Sequence, residues 1–154
     1  MIRLATAADA VATGRLLFDF NAEFLTPTPT AEYFAERFEH LLAREDVIVV
    51  LADGETGASD AVGFAFFTLR PTPYADGPIA HLEELYVRPE LRSRGIGSAL
   101  LERGLAEALA LGASEVHIGV DEGDVDARRF YERHGFSNLE PDTGERMLLY
   151  LRSF

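Results

Sequence analysis

Three groups of residues in this 154-residue chain have the types and spacing that chemistry requires. The first is the segment Arg88-Pro89-Glu90-Leu91-Arg92-Ser93-Arg94-Gly95-Ile96-Gly97-Ser98. Gly95 and Gly97 open backbone conformations closed to other residues and let a ligand reach the main chain without meeting a Cβ. The amides that begin a following helix have no partner inside it and carry the positive end of its dipole. Arg92, Ser93, Arg94, Gly95, Ile96, Gly97 and Ser98 therefore form a candidate anion site, although a Gly-x-Gly alone suits a strain-relieving turn equally well. Two rival phosphate sites are excluded. A P-loop ends in Gly-Lys-Ser/Thr and the chain has no Lys, while the dinucleotide fingerprint would need a third Gly where Leu100 stands.

The second group is the adjacent pair Glu83 and Glu84, a few residues before that turn. An alkyl amine has a pKa of about 10.4 and must lose a proton before its lone pair can attack a carbonyl carbon. A placed carboxylate can take that proton. Strand neighbours point to opposite faces, so one of the two acids is expected to view a reacting centre; each alone also fits an ordinary exposed carboxylate. The third is Tyr131, whose phenol stays protonated at neutral pH and can donate, and which otherwise suits a packed aromatic beside Phe130. His40, His81, His117 and His134 show no metal-ligand spacing, and no metal is expected.

The elements that must position these groups follow from periodicity and turn chemistry. Ile2 to Ala5 reads as a strand, and Thr6 with Asp9 begins a helix in capping-box fashion. That helix is broken at Thr26 to Thr30 by Pro27 and Pro29, and Thr30 caps a second, amphipathic one. Val47 to Ala52 and Ala61 to Arg70 form an antiparallel hairpin across an Asp53 to Asp60 link containing Gly54 and Gly57. Then come a strand at Ile79 to Val87, a helix at Gly97 to Leu111, a strand at Val116 to Val120, a helix at Asp124 to His134 and a last strand at Met147 to Leu151. A helix joins the Ile79 and Val116 strands, so they are expected to lie parallel, with ligand at their carboxyl ends.

Bulk composition narrows the function. The apolar fraction of 47% and charged fraction of 26% are those of one globular domain, expected over 1–154. A net charge of −12, with all 14 basic residues Arg, disfavours nucleic acid and anionic membrane as partners and favours cations. With no Cys, neither a disulfide nor a thiol nucleophile is available. No apolar run approaches the roughly twenty residues that span a bilayer, and no secretory signal pattern opens the chain, so the expected compartment is the cytoplasm.

Arg92-x-x-Gly95-x-Gly97 resembles the pyrophosphate-binding signature of the GNAT superfamily of N-acetyltransferases, and Leu82-Glu-Glu-Leu-Tyr-Val-Arg-Pro89 resembles the strand before it. Asp124-Val-Asp-Ala-Arg-Arg-Phe-Tyr131, ending in Gly135-Phe136, resembles the later family helix that commonly reads Asn-x-x-Ala-x-x-Phe-Tyr. Asp124 departs from the usual Asn, which replaces an amide donor by a negative charge. The resemblance implies a mixed α/β fold with a twisted, mostly antiparallel sheet of six to seven strands, one parallel pair and about four helices. It implies acetyl-coenzyme A held by the turn, by the strand backbone of Leu85, Tyr86 and Val87, and by Asp124, Ala127, Phe130 and Tyr131. It further implies Glu83 as base with Glu84 in reserve, Tyr131 as general acid, and direct attack in a ternary complex. A small cationic amine is the favoured acceptor, with a protein N-terminus, a lysine side chain or an aminoglycoside as alternatives. A non-catalytic acyl-coenzyme A sensor shares the turn, and a homodimer is compatible with the family.

Overall fold

The computed structural model describes residues 1–55 and 57–154, with the side chains of 57–59 outside that description. Four α-helices and five strands occur among the described residues, and the chain divides into two compact units, Met1–His117 and Ile118–Phe154. In the first unit, β1 (Ile2–Leu4), β2 (Val47–Gly54), β3 (Gly57–Arg70) and β4 (Ile79–Val87) pair antiparallel in chain order. A final strand, β5 (Glu115–Ile118), lies beside β4 as the parallel pair. The expected hairpin of β2 and β3 is present, and Thr56 at its tip lies outside the described residues.

Alternation along β3 sorts the core into two layers. Phe64 and Phe66 face α1 (Ala10–Glu23) and α2 (Ala31–Leu41), where Phe64 joins Leu16 and Phe38, and the Phe38 and Phe66 rings meet edge-on at 5.6 Å. Gly63 and Phe67 face α3 (Ile96–Ala110), whose Leu100 and Leu101 are fully buried. Burying each of these large side chains contributes about 1.5–3 kcal/mol.

Local chemistry sets the helix ends. The Thr6 N–H donates to the Asp9 carboxylate at 2.7 Å, and Thr30 Oγ1 accepts from the Tyr33 N–H at 3.2 Å. The end of α1 is closed by Leu25 in the left-handed region at φ 54° and by a bond from the Thr26 N–H to the Asn21 carbonyl at 3.0 Å. Pro27 follows and cannot continue the helix. Arg3 ties the chain start together, reaching Asp9 at 2.8 Å and Asp53 at 3.0 Å.

In the second unit, α4 (Val125–Arg133) is capped by Asp124 and ends at Gly135, which takes φ 85°. The strand expected at Met147 to Leu151 is absent among the described residues, so the count is five rather than six to seven. Those residues are apolar, but a strand exists only through a partner's hydrogen bonds, and Leu149 and Tyr150 are instead 74% and 87% exposed.

The spacing of α1 and α2 depends on Gly14, because a Cβ there would stand 2.5 Å from the Ala35 nitrogen and 2.8 Å from its Cα. Gly14→Ala gains up to about 1 kcal/mol in helix propensity. It forces two backbones apart, at a typical overpacking cost of about 1–3 kcal/mol. Net destabilisation is expected, visible as a lower urea midpoint; an equal or higher midpoint would show that the helices separate freely.

Candidate active site

The end of β4 is an open strand edge. The Ser114 N–H donates to the Pro78 carbonyl at 3.2 Å, which sets the starts of β4 and β5 level. β4 runs for nine residues and β5 for four, so β5 runs out before Leu85, Tyr86 and Val87 are reached. Their other edge is paired, with Leu85 opposite Ala65, Tyr86 opposite Phe64 and Val87 opposite Gly63. Beyond β5, therefore, their outer backbone groups face no strand among the described residues and suit a ligand lying alongside like an added strand.

The turn after β4 is shaped for an anion. Ser93 and Gly95 both take positive φ, 62° and 80°, in alternation with ordinary backbone, a form that turns successive amides into one concavity. A Cβ at Gly95 would meet nothing within 4 Å, so it is the left-handed conformation and not crowding that calls for glycine there. The first amide of α3 bonded back into the turn is that of Ala99, which reaches the Gly95 carbonyl at 3.0 Å. The amides of Ile96, Gly97 and Ser98 precede that bond and stand at the positive end of a fifteen-residue helix.

The three expected arginines divide their roles. Arg88 lies 3.7 Å from an Asp60 carboxylate oxygen. Arg92, read from sequence as a cofactor ligand, has Glu23 and the Val87 carbonyl as partners. Arg94 is exposed, and no ion pair engages it among the described residues. It is thus the guanidinium of the turn that is available to a phosphate.

Glu83 and Glu84 do not alternate across the sheet as adjacent strand residues ordinarily would. Phe66 pairs with Glu84 while Phe67 pairs with Leu82, so Glu83 is an extra residue, a β-bulge in β4. The Glu83 carboxylate accepts from the Thr68 hydroxyl at 2.5 Å and stands 3.9 Å from His81 Nε2. Thr68 and Phe66 are two apart on β3 and share a face, so both acids belong to the side of the sheet covered by α1 and α2. Glu83 is exposed and Glu84 half-buried. Burial, with the Glu83 charge as the lesser cause, pushes the Glu84 carboxyl up from 4.5 to about 7.

The second unit places the other expected residues on one short helix. Asp124 Oδ1 accepts from the Ala127 N–H at 3.0 Å, so the aspartate that stands for the family's asparagine serves as the α4 cap. Phe130 and Tyr131 meet edge-on at 5.2 Å, and Tyr131 and Phe136 at 5.7 Å. Glu23, Thr68 and Phe20 carry no site signal in sequence yet lie against these residues. Phe20 stacks on Tyr86 at 5.3 Å, and only tertiary proximity marks it.

Because its folded-state pKa is raised, Glu84 binds a proton more tightly in the native chain than in the unfolded one. Its contribution to stability is present below about 4.5 and is lost as pH rises through about 7. Urea denaturation of Glu84→Gln should therefore show less loss of stability between pH 5 and pH 8 than the parent chain. Identical pH profiles would show that the carboxyl titrates normally.

Comparison with known proteins shows the family. The Acetyltransferase (GNAT) family profile matches residues 15–136. An aminoglycoside N(6')-acetyltransferase type 1 from Stenotrophomonas maltophilia is 34% identical over 146 residues, covering 90% of this chain and 87% of the relative. A thialysine N-epsilon-acetyltransferase from Bos taurus is 30% identical over 115 residues, covering 74% of this chain. The chain spans less than two thirds of the first curated relatives it matches, 65% in the bovine case. A crystal structure from Arthrobacter sp. FB24, described as that of a candidate acetyltransferase, superposes with a TM-score of 0.90 at 46% identity, covering 100% of this chain and 96% of the other. With a signature turn, a bulged β4 and a family match across most of its length, the chain belongs to the GNAT acetyltransferase family.

Proposed function

We propose that this protein transfers the acetyl group of acetyl-coenzyme A to a primary amine, preferentially a small cationic one, by direct attack in a ternary complex. The observation that carries the reading is the adjacency of three features on one strand and turn. These are a concavity of amides at Ser93 to Ser98 that donate to no backbone carbonyl among the described residues, an open backbone edge at Leu85 to Val87, and two carboxylates on the bulge just before it. The donor, when bound, supplies a thioester carbonyl as electrophile. The turn amides and Arg94 hold its diphosphate, and the β4 edge aligns its extended arm. A strand amide among Leu85 to Val87 is positioned to donate to the developing oxyanion.

The two acids divide the work on the amine. Glu83, exposed and hydrogen-bonded to Thr68, attracts the ammonium. Glu84, raised to about 7, takes the proton: its conjugate base is about two orders of magnitude stronger than an ordinary carboxylate, yet still substantially ionised at neutral pH. This reverses the order read from sequence, where Glu83 was the base, and the reason is burial, which favours the less exposed of the pair. Tyr131, by its place in the α4 motif, is the general acid for the departing thiolate. The same motif assigns Asp124, Ala127 and Phe130 to the neighbourhood of the donor. The net charge of −12 supports a cationic acceptor, and the named activities of the thialysine and aminoglycoside relatives agree with an amine.

The test is thiol release from acetyl-coenzyme A across a panel of diamines, polyamines, aminoglycosides and amino acids. Amine-dependent release is expected, with kcat/KM rising through about pH 7 and falling about a hundredfold or more in Glu84→Gln. Tight coenzyme A binding with no amine-dependent release would point to a sensor instead. Tyr131→Phe should lower kcat by about a hundredfold with little change in coenzyme A affinity, and an unchanged kcat would remove the general-acid role.

A further inference from the structure

Glu23 closes α1 and Arg92 opens the anion turn, 69 positions later, yet the two meet as a two-pronged ion pair. Arg92 Nη1 donates to Glu23 Oε1 at 2.7 Å and Nη2 to Oε2 at 2.6 Å. The third guanidinium nitrogen, Nε, donates to the Val87 carbonyl at 2.9 Å. The guanidinium carbon also lies 5.6 Å from the centre of the Tyr86 ring, on which Phe20 of α1 is stacked at 28° between planes. Two side chains of α1 thus grip two residues of the strand and turn, one pair through charge and the other through ring contact.

We propose that Glu23 is a positioning residue for the donor site: it fixes the Arg92 guanidinium, and through it the Val87 carbonyl and the first residue of the turn, so that the amides of Ser93 to Ser98 stay aimed at a diphosphate. The inference rests on the acetyl-coenzyme A reading. Electrostatics separates it from the simpler idea that Arg92 itself grips phosphate. An Arg92 that moved to a phosphate would break two charge-assisted bonds and leave the Glu23 carboxylate unpaired beside a polyanion. Held in the pair, the same carboxylate is neutralised, and its planar match to the guanidinium fixes direction as well as charge.

The two arrangements predict opposite signs. If Arg92 were a phosphate ligand in competition with Glu23, Glu23→Gln would free it and tighten coenzyme A binding. If Glu23 positions the turn, the same change weakens binding. Calorimetry on the full chain with coenzyme A is expected to show about a five- to tenfold rise in Kd for Glu23→Gln and for Arg92→Gln, with the double variant no weaker than the weaker single. The KM for acetyl-coenzyme A should rise by more than kcat falls in Glu23→Gln. A lower or unchanged Kd in Glu23→Gln, or losses that multiply in the double variant, would overturn the proposal. Hydrogen exchange of the ligand-free chain gives an independent reading. Amides 93–98 should exchange several-fold faster in Glu23→Gln, and unchanged exchange there overturns the coupling outright. Absence of coenzyme A affinity in the parent chain would count against the function proposed above, while exchange would still decide the coupling.

Discussion

One extra residue in β4 organises the site. Strict alternation would send Glu83 and Glu84 to opposite faces, but the bulge opposite Phe66 and Phe67 places both on the face covered by α1 and α2. Burial on that face, with the neighbouring Glu83 charge as the lesser cause, pushes the Glu84 carboxyl up to about 7. The geometry of a single strand thereby sets an exposed carboxylate beside a half-buried one, the two groups to which the proposed reaction assigns cation attraction and proton acceptance.

The other half of the site is made of main chain. β5 is too short to cover the end of β4, and the glycine at the start of α3 allows a left-handed turn that leaves three amides outside the helical ladder. Such groups in a folded protein are normally satisfied, so a cluster of them beside an open strand edge marks a place for a ligand. On a chain of net charge −12, this concavity and the exposed Arg94 give a polyanion a local positive region. The pairing of Arg92 with Glu23 neutralises an acid beside this turn, which is consistent with the proposed diphosphate site.

Much of this architecture is visible in the sequence because it is local. The Thr6 and Thr30 caps, the Pro27 break, the helical spacing of α2 and the glycines of the turn act over a few residues, and each element forms within a few positions of where those signals put it. The tail is the instructive exception. Met147 to Leu151 is an apolar run, but its pairing with the preceding segment stops at the Leu139–Arg146 bridge and the bond from the Met147 N–H to the Asn138 carbonyl, and a strand needs a partner along its length.

Adjacent residues alone set the order of elements, the glycine turn at Arg92 to Ser98 and the presence of paired acids ahead of it. Tertiary structure decided which acid is buried, that both share a face, and that Arg92 answers to Glu23 from 69 positions away. The reason is range. Capping, φ preference and helix dipoles are fixed by adjacent residues, whereas a bulge, a pKa and an ion pair depend on which distant groups the completed sheet brings within a few ångströms.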